Sequence, residues 1–205
     1  MTELRQALGQ ISAIRTQVAR GTQFRGYGPR SITAGGVLAL LVAALQARSS
    51  NPWGQGTAGF VAVWVTTAGV AVSLAVWETI FRARRVHAGF AKNMMHAAAE
   101  QFLPAVVVGV LLTVVLLTVA PQVAWMLPGL WQLAFCLGIF ASCRFLPRPT
   151  FIAGLWYLAC GLTSLVLASA AQTLLPWTMG IPFGVGQLLV AVALRYGYED
   201  CVEER

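Results

Sequence analysis

Six apolar runs, each about as long as the hydrocarbon core of a bilayer is thick, dominate the chain: Ser31 to Ala47, Thr57 to Ile80, Phe102 to Ala120, Val123 to Cys143, Phe151 to Ala171 and Trp177 to Leu194. A helix crosses with roughly 17 to 25 apolar residues, because each adds about 1.5 Å of rise. The pattern predicts an all-α integral membrane protein, a six-transmembrane-helix bundle spanning 31–194. Composition agrees: 58% of the 205 residues are hydrophobic and 10% charged, against about 25% charged in soluble domains. The first 30 residues are polar and rich in Arg, unlike a secretory signal, so the first run is expected to remain as an uncleaved anchor.

An even number of spans puts both termini on one side, and the bases say which. Arg5, Arg15, Arg20, Arg25 and Arg30 precede the first span, Arg82, Arg84, Arg85 and Lys92 join spans two and three, Arg144 and Arg148 join four and five, and Arg195 and Arg205 follow six. Arg48 alone falls opposite. The positive-inside rule therefore predicts that both termini are cytoplasmic. Trp53, Trp125 and Trp177 at outer span ends and Trp77 at an inner end fit the interfacial preference of indole rings. The net charge of +7 is thus explained by topology, and no nucleic acid partner is expected. The near-exclusive use of Arg over Lys suits a bacterial inner membrane. The outer connections are too short to fold a domain or cover a site, which leaves the exposed surface mostly cytoplasmic.

Within the spans no ionisable residue lies near mid-bilayer, where a charge costs at least ~2.5–3.5 kcal/mol and is retained for use; this disfavours a pump or proton-coupled carrier. Small residues recur every fourth position at Gly35, Ala39, Ala43 and Ala47, and at Gly180 and Gly184. Such stripes let helices approach closely, either inside the bundle or across a homodimer seam at Gly35, Ala39 and Ala43. The octets "GLWQLAFC" (129–136) and "GLWYLACG" (154–161) echo one another, as an inverted repeat or by chance. Cys136 and Cys160 fall at similar depth and read as small hydrophobes rather than metal ligands. In "PWTMGIPFGVGQLL", Pro182 beside Gly180 and Gly184 loosens the start of span six. Freed carbonyls near Gln187, with Gln132 in span four, are candidates for a ligand pocket.

On the cytoplasmic side Leu4, Ala7, Ile11, Ile14 and Val18 recur at spacings of three and four, a narrow helical seam. Its small aliphatics suit protein contact better than lipid insertion, so Leu4, Ile11, Ile14 and Val18 are candidates for binding a partner. Arg20, Arg25 and Arg30, interleaved with Phe24 and Tyr27 in a Gly-rich connector, and Arg84 and Arg85 are candidates for anionic lipid headgroups. Glu78 stands four residues before Arg82, the favourable order for a helical ion pair. Lys92, His96 and Glu100 are successive turns of an expected amphipathic helix running into span three. His96 and Glu100 are candidate pH-sensing residues; their spacing matches no zinc or hydrolase signature. No motif calls for a metal or cofactor. The segment 195–205 reads as a charged cytoplasmic tail.

These features favour a non-enzymatic regulatory, sensor or adaptor protein engaging a cytosolic partner through its N-terminal helix and basic loops. A small uncoupled transporter or a binder of lipid or other apolar ligands ranks second, and an interfacial membrane enzyme third.

Overall fold

The computed structural model describes the backbone of residues 29–48, 56–85, 89–143 and 149–203, and the side chains within 30–48, 56–81, 100–143, 149–170 and 172–195. Among these residues there is no strand. The helices are α1 Pro29–Arg48, α2 Gly56–Arg85, α3 Gly89–Thr118, α4 Leu127–Ser142, α5 Thr150–Ala171 and α6 Trp177–Glu203, with a 3₁₀ segment Pro121–Met126 leading into α4. All six apolar runs are helical, and each is long and apolar enough to cross a membrane.

The boundaries differ from the apolar runs where polar sequence extends a helix. α2 continues past Ile80 to Arg85, α3 begins at Gly89 with the segment holding His96 and Glu100, and α6 runs through most of the charged tail to Glu203. The fourth span opens as a 3₁₀ segment for a covalent reason. Pro128 has no N–H to return to the Ala124 carbonyl, and the Leu127 N–H bonds that carbonyl instead, one residue tighter.

The helices neighbour one another in the order α2, α1, α6, α5, α4, α3, with the first and last helices of the chain forming the most extensive pair. Successive helices run antiparallel. One end, the terminal face, carries the start of α1 and the end of α6; the other, the distal face, carries the start of α2, the 3₁₀ segment and the α5–α6 turn.

Packing is uneven across this row. Half of the fourth span is buried, against 17% of the α2 span and none of the α3 span, so the core lies in α1, α6, α5 and α4. α2 packs on α1 where Phe60 and Trp64 are buried with Ala39 and Ala43, and further along through Ala71 against Gly35. α3 leans on α4, where Gly138 admits Phe102 and Ala105. The two outer helices approach at the distal end, where Val61 joins Ala124 and Leu127, with Leu116 and Leu117 packed against them.

Small residues build the α1–α6 seam, as van der Waals packing in lipid requires. A Cβ on Gly180 would run into Ala43, one on Gly184 into Leu40, and one on Gly36 into the Gly184 carbonyl. Ala39 and Ala43 are buried there, and Gly35 faces Ala71 of α2. The stripe read as bundle packing or a homodimer seam is thus occupied within the chain. At the terminal face Glu78 Oε2 accepts the Ser31 N–H at 2.7 Å, placing a carboxylate at the N-terminus of α1, where the unpaired N–H groups and helix dipole favour it. The side chain of Arg82, the partner expected for Glu78, lies outside the described residues.

Candidate ligand-binding site

The residues singled out in span six come together with Gln132, and each is engaged. Because Pro182 has no N–H, the carbonyl of Thr178, one turn earlier, lacks its helical partner. Gln132 Nε2 supplies the bond at 2.6 Å and also reaches Ser164 Oγ at 3.5 Å. Gln132 is fully buried, so one amide ties α4, α5 and α6 at the point the proline weakens. The next such link is Trp156 Nε1, which donates to the Pro182 carbonyl at 3.0 Å. Gly180 and Gly184 take part in the seam with α1, and the Gln187 Cβ lies against Gly36. The expected freed carbonyl exists, and Gln132 holds it.

Below this lies an aromatic cluster. Phe135 sits 4.7 Å from Tyr157, 4.9 Å from Phe102 and 5.4 Å from Phe183, centroid to centroid. Tyr157 is fully buried against Gly186, which leaves no room for a Cβ, and its hydroxyl has no partner among the described residues.

The paired octets show a matching geometry. Gly129 packs against Leu165 of α5, and Gly154 against Phe140 of α4. The octets' tryptophans donate outward to the next helix in each direction, Trp131 to Thr113 Oγ1 of α3 at 2.8 Å and Trp156 to α6. The two octets thus pack on one another in the same way, each tryptophan reaching the helix beyond.

The distal face holds what the sequence reading missed. At the outer ends of the helices the described residues line an open cavity of about 500 Å³. Its lining includes Gln46 from α1, Thr57 and Phe60 from α2, Gln122 and Trp125 from the 3₁₀ segment, and Gln172 and Thr173 from the α5–α6 turn. The lining comes together because the end of α1, the start of α2, the 3₁₀ segment and the α5–α6 turn meet at this face. The described lining carries amides, hydroxyls and an indole and no ionisable side chain. The signal was available as three glutamines at the outer ends of spans, Gln46, Gln122 and Gln172, where bilayer energetics alone require none.

Local geometry is unusual here. Gln172 is the one non-glycine residue with positive φ among the described residues, at 48°, where it closes α5 by donating its N–H to the Ala168 carbonyl at 2.7 Å. Trp125 Nε1 is buried with no acceptor among the described residues. Gln46 also accepts from Trp64 Nε1 at 3.1 Å, so a lining residue holds α2 to α1.

The other sequence candidates are distributed elsewhere. Arg30 and Glu100 are exposed at the ends of α1 and the α3 span. Leu4, Ile11, Ile14, Val18, Arg20 and Arg25 lie outside the described residues, as do the side chains of Arg84, Arg85 and His96. Cys136 is buried against Ile139 and Tyr157, and Cys136, Cys143 and Cys160 are free thiols. Comparison with protein-family models, with curated proteins and with solved structures finds no match to this chain.

Proposed function

We propose that this is a multi-pass protein of a bacterial inner membrane, with both termini cytoplasmic, that acts without catalysis as a sensor. A ligand entering the distal cavity from outside biases the α2–α3 hairpin, and the hairpin alters a cytoplasmic surface made of residues 1–30 and 82–101 that engages a cytosolic partner. The observation supporting this reading is the position of the cavity: it is walled by the start of α2 and by the 3₁₀ segment that follows α3, so both outer ends of the hairpin bear on it. These are also the helices least buried in the bundle. Elements that move are drawn from the weakly packed parts of a fold, and a ligand shifts them only as far as it binds the two positions unequally. Orientation follows from the bases, of which only Arg48 falls on the distal side.

A filled cavity can be imitated by a side chain. With the four native cysteines replaced and nitroxide labels at the exposed positions Phe81 and Ala141, Thr57→Trp should displace the label-to-label distance distribution measured in nanodiscs. A distribution that coincides with that of the unplugged protein would sink the sensor reading. The transporter alternative draws on Gln187 and the Gly/Pro start of α6, and ranks lower because those residues take part in packing.

A further inference from the structure

Three departures from ordinary local rules meet at the distal cavity. The first is its chemistry. A protein–water boundary near lipid headgroups would readily accept charge, yet the described lining carries no ionisable side chain: the donors and acceptors of Gln46, Thr57, Gln122, Gln172 and Thr173 stand beside the apolar Phe60 and Leu174 and the Trp125 indole. An anionic ligand would lose water there without a counter-charge. Amides and hydroxyls each supply donor and acceptor, the combination that satisfies adjacent hydroxyl groups.

The second is Gln172. Its left-handed φ of 48° closes α5 at a position glycine ordinarily fills, because a Cβ is strained there. The inference runs from this strain to a role for the side chain that Gln172 keeps at the cavity wall. The third is Trp125, whose ring lines the cavity while its N–H is buried without an acceptor among the described residues. An indole presents an apolar face with a polar handle, and the apolar C–H face of a pyranose ring matches it. The volume, about 500 Å³, falls within the roughly 300–1,000 Å³ range of small-molecule sites.

We infer that the distal cavity binds a neutral, hydroxyl-rich ligand of saccharide type, either free or as the headgroup of a glycolipid. This deepens the sensor reading and rests on its use of the same cavity.

The full chain in phosphatidylcholine nanodiscs would be titrated with maltose by calorimetry. In parallel, discs carrying diglucosyl diacylglycerol or phosphatidylglycerol would be compared by retention of each lipid in native mass spectrometry. Saturable binding of maltose identifies a free sugar; selective retention of the glycolipid alone identifies a headgroup. Gln172→Gly should weaken binding at least tenfold while leaving the melting temperature unchanged or higher, because glycine suits this backbone, and Gln122→Ala at an exposed position should weaken it similarly. The inference is overturned if neither neutral probe binds, if phosphatidylglycerol is preferred, or if Gln172→Gly binds like the parent. Should Thr57→Trp move the Phe81–Ala141 distance while neither sugar binds, the sensor reading stands and this ligand class falls. Should sugar bind with no change in that distance, the ligand class stands and the sensing role falls.

Discussion

The bond from Gln132 to the Thr178 carbonyl exists because of Pro182, and this dependence can be measured. Gln132→Leu removes a 2.6 Å bond to a carbonyl with no helical partner, together with the longer contact to Ser164. Interhelical bonds in membranes average about 0.6 kcal/mol and reach about 1.7, and an acceptor left unpaired costs about 1–3. The same substitution deletes Gln132 Oε1, which is buried without a partner among the described residues, and that offsets about 1 kcal/mol. Because the unpaired acceptor already includes the lost bond, the net loss should be about 0–2 kcal/mol. In a Pro182→Ala background the Ala N–H satisfies the Thr178 carbonyl within α6, so Gln132→Leu should become nearly neutral or stabilising. The coupling should be about 1 kcal/mol, above the roughly 0.3–0.5 within which independent sites add. Reversible unfolding of the two single variants and the double variant in mixed dodecyl maltoside and SDS micelles gives all three terms. If Gln132→Leu costs the same in both backgrounds, the amide is not compensating for the proline.

Tyr157→Phe removes a buried hydroxyl without a described partner and should leave stability unchanged or raise it by about 1 kcal/mol in the same unfolding assay; a loss of that size would reveal an acceptor. Glu78→Leu should cost about 1 kcal/mol by stripping the carboxylate from the N-terminus of α1, whereas Glu78→Gln, which keeps an oxygen acceptor for Ser31, should lose only part of this; equal losses would refute the capping role. Trp64→Phe removes the donor to Gln46 and should broaden the Phe81–Ala141 distance distribution, so an unaltered width would show that this bond does not hold α2. Deleting residues 1–22 should preserve membrane insertion and abolish recovery of a cytosolic partner after gentle solubilisation, and undiminished recovery would remove that segment as the contact.

Helices were legible because their cause is local. A run such as Phe151 to Ala171 has no alternative in lipid but to satisfy its own backbone, and α5 spans nearly those residues. The stripe Gly35, Ala39, Ala43 announced close approach, while its partner, α6, depended on the order of helices around the bundle, which hydropathy does not encode. Pro182 likewise announced a freed carbonyl; that Gln132 lies opposite, 46 residues away in sequence, is a matter of tertiary register. The cavity was hardest to see, because its lining is split among four segments and no two of Gln46, Gln122 and Gln172 belong to one motif.

The same physics that hides the cavity links it to the hairpin. In lipid no hydrophobic drive closes α2 upon α3, since acyl chains cover an apolar helix as well as another helix does. The position of α2 is then set by its contacts on α1: Phe60 and Trp64 buried with Ala39 and Ala43 towards the distal face, Ala71 against Gly35, Glu78 on Ser31 at the terminal face, and Trp64 Nε1 on Gln46. Gln46 belongs to two of these arrangements at once, because it lines the cavity and accepts from Trp64. On the proposed sensing role, a ligand competing for its amide would loosen one end of α2, and the helix would carry any tilt along its length to Arg85. A hydrogen bond worth about 0.5–1.5 kcal/mol would be a minor term in a tightly packed helix. α2 is buried at Phe60, Val61 and Trp64 and little beyond them, so this bond acts beside that packing while the rest of the helix has few contacts of its own.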